Sequence, residues 1–235
     1  MLTAMRVPGR SFAALLSYET TTRHFLHMRS TLLRLFLYAL WVLLVALATT
    51  AEGHLEGTAS RYGEASIVEY LQTAFLLAVT GLFAYAARTF EHWRGVCPAL
   101  ALIALVATIR EQDSFFDHNV FDGFWQLLAL AVLAWLGWFL WRYPGPLARE
   151  VREFAASSSA GLLVAGFVTV FVYSRIIGMQ TLWRGILGDG YVRVAKNFVE
   201  EGTELFGYSL LVVAAVETVV QLRARRAPVT LANEP

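Results

Sequence analysis

Blocks of about 20 predominantly apolar residues recur along this chain, separated by short polar segments. A helix of that length crosses the hydrocarbon core of a bilayer, where backbone groups find no water and must bond to one another. Hydrophobic residues make up 57% of the 235 residues and charged residues 16%, against about 45–50% and about 25% in soluble domains. The sequence therefore predicts an all-α fold, a polytopic transmembrane helical bundle.

Six membrane spans are predicted from the hydropathy pattern. The segments between them are too short to form a second domain, so we expect one bundle over residues 31–222 and a tail at 223–235. The bilayer is thus the first expected partner. The predicted spans lie at about 31–51, 66–88, 95–115, 120–142, 158–178 and 197–222.

The distribution of arginine and lysine predicts the orientation of the bundle. Most basic residues lie at the ends of the chain and in the loops at 88–94 and 142–152, which all fall on one side. The opposite side has fewer, although the loop at 179–196 carries Arg184, Arg193 and Lys196. By the positive-inside rule both termini are cytoplasmic, in a cytoplasmic-type membrane such as the bacterial inner membrane.

The N-terminal residues allow two interpretations. Residues 1–30 are expected to form a cytoplasmic segment, part of which lies upstream of an alternative translation start at Met28. Residues 28–51 also resemble a signal peptide, with a basic start, an apolar run and a weak cleavage site at Ala48–Ala51. The apolar run is long for a signal peptide, which favours a retained first span.

Composition excludes several classes of function. The single cysteine, Cys97, rules out an intramolecular disulfide and a multi-cysteine metal site. The basic residues form no stripe suited to nucleic acid. A b-type haem needs paired histidines within spans, and the predicted spans lack such a pair, so no haem is expected.

Ionisable side chains cluster where predicted spans begin or end, on the side opposite the termini. Charged groups at that depth are costly, so they usually line a cavity, pair with one another or take part in chemistry. Arg110, Asp113 and Asp117 are spaced i, i+3, i+7 and share one face if the helix of the third span continues that far. The cluster consists of Glu69, Arg110, Glu111, Asp113, Asp117, His118, Glu200, Glu201 and Glu204.

A divalent metal ion is the leading hypothesis for this cluster. Carboxylates from several helices with one imidazole suit a hard or borderline cation, and helix bundles build such sites from facing helices. The ion would bind alone or hold an anionic lipid headgroup. The predicted metal ligands are Glu69, Glu111, Asp113, Asp117, His118, Glu200, Glu201 and Glu204.

If the site is catalytic, a metal-activated water would hydrolyse or transfer the headgroup of a lipid-like substrate. The predicted catalytic residues are Glu201, Glu204 and His118. Arginines would hold an anionic group of the substrate. The predicted substrate-binding residues are Arg110, Arg175 and Arg184.

Other hypotheses explain the same residues without a metal enzyme. The acids would exchange protons in a proton- or cation-coupled carrier, because closely spaced like charges do not all ionise. Alternatively, the charges only anchor helix ends: Arg110 neutralises Glu111 or Asp113, and the glutamates of the sixth span face Arg175, Arg184 and Lys196. The protein would then be a non-catalytic assembly protein that binds partners through its 179–196 loop. Ser114 and His118 beside Asp113 or Asp117 also supply the residue types of a hydrolytic triad, without the turn that usually carries the serine.

Overall fold

The computed structural model describes residues 12–53 and 66–226, with side chains from residue 32 onward. Helices make up 88% of this part of the chain, which contains no β-strand. Five helices are long and apolar enough to cross a membrane. The predicted all-α class is therefore confirmed, and the candidate spans are Leu32–Gly53, Ile67–Thr89, Phe124–Arg142, Ser158–Ile177 and Arg193–Arg226.

The chain divides into two compact units, Met1–Leu44 and Val45–Pro235. The described part of the first unit is helical from Phe12, within helix α1, which runs Phe12–Gly53. Helix α1 is continuous through residue 30, and the cytoplasmic segment expected at residues 1–30, of which 1–11 lie outside the described residues, stays a prediction. The last turns of α1 belong to the second unit.

Helices α2 and α3 follow as a hairpin. Helix α2, Ile67–Thr89, begins at Ser66, whose side chain accepts a hydrogen bond from the amide of Glu69. Helix α3 covers Val96–Glu111, which is 16 residues or about 24 Å. The third predicted span was expected to continue to residue 115, but the helix ends at Gln112, whose backbone leaves the helical region (φ −102°, ψ 22°).

Short helices connect the remaining spans. Helix α4, Asp113–Asn119, leads to α5, Phe124–Arg142, and then to α6, Leu147–Ala155. Helix α7, Ser158–Val168, continues through a π-helical turn at Thr169–Tyr173 into α8, Ser174–Ile177. The predicted 179–196 loop contains α9, Gln180–Leu187, and a 3₁₀ turn at Gly188–Gly190. Helix α10, Arg193–Arg226, completes the described chain.

Helix α10 is the central helix of the second unit, packing against both α2 and α7. Leu76, Val170 and Tyr208 form one buried cluster where these three elements meet. Helices α7 and α10 approach closely through glycines: a Cβ atom on Gly166 would lie 2.8 Å from the carbonyl oxygen of Gly207. Small residues permit such contact between helix backbones in membranes. The crossing places the start of α10 next to α8.

Large apolar side chains cover the outside of several helices. Helix α5 exposes Leu127, Leu130, Leu133, Trp135 and Trp138, and only 6% of its apolar window is buried within the protein. A soluble monomer rarely exposes continuous apolar surface of this extent. The surface is compatible with lipid contact and hence with a membrane protein.

A buried glutamate organises the end of the second unit where α2 ends and α3 begins. Oε2 of Glu150 accepts hydrogen bonds from the amides of Gly95 and Val96, at 2.8 and 3.3 Å. Its Oε1 accepts a 2.5 Å hydrogen bond from the hydroxyl of Tyr143. Burial, followed by this hydrogen bond, raises the pKa of Tyr143 to about 12. The hydroxyl therefore stays protonated near neutral pH and remains a donor to Glu150.

Candidate carboxylate site

Four glutamates from α3 and α10 lie at the other end of the second unit, near the start of α2 and the end of α3. Three cationic side chains and three neutral polar side chains contact them. We call this group the carboxylate cluster. Its members are Glu111, Glu200, Glu201 and Glu204, with Arg110, Arg175, Lys196, Gln72, Ser174 and Tyr208.

Glu204 is the most deeply buried glutamate of the cluster, with 3% of the residue exposed. Its Oε1 lies 2.7 Å from Nη2 of Arg175 and accepts a 3.3 Å hydrogen bond from the hydroxyl of Ser174. Both partners begin α8, directly after the π-helical turn. Such turns shift the register of a helix and often occur at functional sites. Here the turn precedes the two residues that bind Glu204.

Glu200 lies one turn before Glu204 and joins two cations. Lys196 donates to its Oε2, and Nη1 of Arg175 lies 3.7 Å from its Oε1. Gly178 borders this pair closely, because a Cβ atom there would lie 2.5 Å from Cδ of Glu200. Arg175 thus bridges Glu200 and Glu204, which fixes the end of α8 against α10.

Glu201 has a different environment from its neighbours. Its Oε2 accepts a 3.0 Å hydrogen bond from the amide of Gln72, which also donates to the backbone oxygen of Glu201. Its nearest acidic neighbours along α10 are Glu200, which precedes it, and Glu204, which follows three residues later. Gln72 is fully buried. Its side-chain oxygen finds no hydrogen-bond donor within the described residues.

Glu111 connects α3 to the cluster. Its Oε2 accepts a 2.9 Å hydrogen bond from the hydroxyl of Tyr208 and a 3.1 Å hydrogen bond from Nη1 of Arg110. Tyr208 is 1% exposed, whereas the side chain of Arg110 is 37% exposed. The pairing of Arg110 with Glu111 agrees with the sequence hypothesis of local neutralisation.

Helix α4 lies beside the cluster and borders a cavity of about 370 Å³. The lining includes Glu69, Glu111, Ser114 and His118. His118 is exposed, and its Nδ1 lies 2.8 Å from the backbone oxygen of Ser114. The ring therefore contacts the carbonyl of Ser114 and not its hydroxyl, which differs from a serine–histidine pair of a hydrolytic triad.

The two aspartates of α4 serve the backbone. Oδ1 of Asp113 accepts a 2.6 Å hydrogen bond from the amide of Ser114, and Oδ1 of Asp117 accepts a 2.9 Å hydrogen bond from the amide of Gly123. Because the helix breaks at Gln112, Arg110 lies on α3 while Asp113 and Asp117 lie on α4. The condition for a shared helix face, that the helix of the third span continues to Asp117, is therefore not met.

The three predicted substrate-binding arginines lie in two different places. Arg110 and Arg175 both belong to the carboxylate cluster, where each pairs with a glutamate. Arg184 lies on α9 and is exposed, with its guanidinium 5.6 Å from the centre of the Tyr191 ring. Residues 32–53 and 66–226 contain no group of three or more His, Cys, Asp or Glu side chains placed to hold a metal ion. The eight-residue ligand set therefore remains a prediction.

Three members of the carboxylate cluster had no predicted role: Gln72, Ser174 and Tyr208. Gln72 stands three residues after Glu69. A polar amide within an apolar span often marks a functional position, so the sequence did contain a signal for Gln72. Ser174 and Gly178 flank Arg175 but are common residues in membrane helices. Their roles depend on how α8 meets α10.

Fold and site together describe an all-helical protein with several apolar helices, compatible with a membrane protein. The comparisons with known proteins add no narrower class, since no family model matches the chain and no curated protein or solved structure is significantly similar to it.

Proposed function

We propose that this chain is a multi-pass membrane protein that binds a proton or another small cation at the carboxylate cluster and acts as a proton- or cation-coupled carrier. The observation that carries this proposal is the environment of Glu201. It lies in a candidate span between Glu200 and Glu204 on α10, and among the described residues its carboxylate is hydrogen-bonded to the neutral amide of Gln72 and not to a cation. Carboxylates this close in an apolar setting need positive counter-charge, which a bound cation supplies.

The partners within the cluster support exchange of that cation. Arg175 and Lys196 already pair with Glu200 and Glu204, and Arg110 pairs with Glu111. Glu201 instead has the neutral amide of Gln72, whose buried oxygen would be a further ligand for a cation or a donor. A cation on Glu201 is thus held by neutral and negative groups and is not in competition with a fixed guanidinium.

A carrier also needs polar groups in the other half of the bundle. Glu217 and Thr218 are buried on α10, and Glu217 lies 13 residues after Glu204, about 20 Å along the helix axis. We infer six crossings, with the short α3 as the third, and both termini on the cytoplasmic side of a bacterial-type inner membrane. The carboxylate cluster then faces the outer side.

Proton or cation flux tests this function directly. Purified protein in liposomes that contain a pH-sensitive dye should move protons when a potassium diffusion potential or a pH gradient is imposed, with sodium and potassium compared as coupling ions. Glu201→Gln keeps the shape and the bond to Gln72 but removes the charge, so we expect its flux to fall to the level of protein-free liposomes. The matched control is Glu91→Gln, whose side chain is 89% exposed and pairs with Arg94 at the opposite end.

Two results would contradict the carrier. Wild-type flux equal to that of empty liposomes under every gradient would reject it. Equal flux in wild type and Glu201→Gln would assign the carboxylates to structure alone. Retention of fold in each variant is checked by size-exclusion chromatography in detergent.

A second candidate is metal-dependent hydrolysis or headgroup transfer on a lipid-like substrate. The cavity beside α4 favours it, because Glu69, Glu111 and His118 line one space of about 370 Å³ next to the cluster. Carboxylates and an imidazole are ligand types that a divalent ion takes, and these side chains would have to change rotamer to converge on one, because the described residues hold no group of three placed to bind a metal ion. An ion bound there would supply an activated water. Glu201 and Glu204 would accept protons from it.

Metal content separates this candidate from the carrier. We expect elemental mass spectrometry on protein purified without chelator to find stoichiometric divalent metal in wild type, and a clear loss in Glu111→Gln and His118→Ala, if the candidate is right. Glu91→Gln again serves as the control. Metal absent from wild type, or retained in both cavity variants, would reject this candidate while leaving the flux result to judge the carrier.

A further inference from the structure

A second cavity of about 560 Å³ lies at the end of the second unit opposite the carboxylate cluster. The same helices define both ends: Glu69 lies in the first turn of α2 and Arg88 in its last, 19 residues or about 28 Å apart. On α10, Glu204 belongs to the carboxylate cluster and Arg225 lines the cavity. A ligand here would therefore bind independently of the proposed cation site.

Basic side chains dominate the lining of this cavity. Arg88, Arg94, Arg225 and Arg226 border it together with His92, and Glu91 is the acidic residue of the lining. Glu91 pairs with Arg94 at 2.7 Å, and its side chain is 89% exposed. The remaining arginines give the cavity a positive charge that its own lining does not neutralise.

The arginines are held in place by contacts that leave them cationic. Arg225 stacks over the buried ring of Trp93 at 4.9 Å from the ring centre and contacts His92, which in turn lies 3.3 Å from Glu153. Arg226 donates a 3.3 Å hydrogen bond to the backbone oxygen of Thr89. Stacked and hydrogen-bonded guanidinium groups lose less freedom when they bind a planar or tetrahedral anion.

The position of the cavity indicates the source of that anion. It lies where two candidate spans end, at Thr89 and Arg226, which is the depth of the headgroups when those helices cross a bilayer. Apolar residues Ala87, Phe90 and Leu222 complete the lining. A neighbouring cavity of about 410 Å³ brings Tyr85 and Arg223 to the same region. Arginine with an apolar floor at this depth suits a phosphate that carries acyl chains.

We propose that this cavity binds the phosphate of an anionic phospholipid headgroup between the ends of α2 and α10. The arginines form charge-assisted hydrogen bonds to phosphate oxygens. The proposal stands apart from the proposed carrier function, and neither depends on the other.

Native mass spectrometry of the detergent-solubilised protein tests the site with phosphatidylglycerol, phosphatidylcholine and inorganic phosphate as probes. We expect phosphatidylglycerol to bind at least roughly tenfold more tightly than phosphatidylcholine, and Arg88→Gln or Arg225→Gln to weaken its binding by roughly fivefold each. The matched control is Arg142→Gln, an exposed arginine at the end of α5 that does not line the cavity.

Each remaining outcome overturns the proposal. Equal affinity for the two lipids, or equal phosphatidylglycerol binding in Arg88→Gln, Arg225→Gln and Arg142→Gln, would reduce the arginines to determinants of topology. Inorganic phosphate that binds as tightly as phosphatidylglycerol would identify a site for a soluble anion. Arg88→Gln keeps the test valid if loss of the Arg225 stack on Trp93 unfolds the protein, because Arg88 makes no such contact with that ring.

Discussion

Replacing Gly166 with leucine is expected to abolish accumulation of folded protein, and replacing it with alanine is expected to lower the free energy of unfolding by about 1–3 kcal/mol. A Cβ atom on Gly166 would lie 2.8 Å from the backbone oxygen of Gly207 and 2.7 Å from Cδ2 of Leu211. The side chain of Leu211 is flexible and can change its rotamer, but the backbone oxygen of Gly207 can move only together with α10. The two helices must therefore separate.

The same helix offers a matched control. Gly161 also lies in α7, and a Cβ atom there would meet nothing within 4 Å. Gly161→Ala should leave stability unchanged or raise it by about 0.5–1 kcal/mol, since alanine loses less backbone freedom in a helix. Denaturation in mixed micelles, followed by tryptophan fluorescence, gives both values. Equal effects of the two alanine substitutions would show that the close crossing of α7 and α10 does not limit stability.

Separation of α7 from α10 should also affect the carboxylate cluster. Gly166 lies on α7, which continues through the π-helical turn into α8, where Ser174 and Arg175 bind Glu204. We therefore expect Gly166→Ala to reduce flux in the liposome assay as well as stability. The contact of Gly166 with Gly207 and the burial of the Glu204 charge are thus linked, because α7, the π-helical turn and α8 follow one another without interruption.

The helical class and the approximate positions of the long apolar helices were predictable because they depend on local composition. A bilayer imposes its thickness on every crossing helix, so runs of apolar residues indicate spans without knowledge of their neighbours. The end of α3 at Glu111 was not predictable in the same way. Gln112 is neither glycine nor proline, and nothing local requires the backbone to leave the helix there.

The region in which ionisable side chains gather was predictable, but their contacts were not. Charge in an apolar sequence indicated Glu201, Glu204 and Arg175. Which glutamate pairs with which cation depends on the rotation of α10 relative to α8 and α2, and sequence spacing does not give that rotation. Arg184 illustrates this: like Arg175 it was predicted to bind substrate, yet it lies on the exposed α9 and contacts the ring of Tyr191.

The ion pair of Arg175 with Glu204 gives the second large expected effect. Arg175→Leu leaves a carboxylate that is only 3% exposed without its cation, so we expect a loss of about 2–3 kcal/mol in the free energy of unfolding. The value lies below the about 3–5 kcal/mol typical of a fully buried pair because the Arg175 side chain is 43% exposed. Arg184→Leu, an exposed arginine on a neighbouring helix, should change stability by less than about 0.5 kcal/mol.

Removing the charge of Glu204 as well distinguishes the contribution of the ion pair to stability from that of Arg175 packing. Glu204→Gln alone should cost about 1 kcal/mol, since the hydroxyl of Ser174 still has an acceptor and the partly exposed Arg175 regains water. The double variant Arg175→Leu/Glu204→Gln should be more stable than Arg175→Leu alone, because the buried charge that Arg175 balanced at position 204 is gone and Lys196 still pairs with Glu200. Losses that simply add in the double variant would mean that Arg175 stabilises α8 through its packing, and that the charge of Glu204 is neutralised by another group of the cluster.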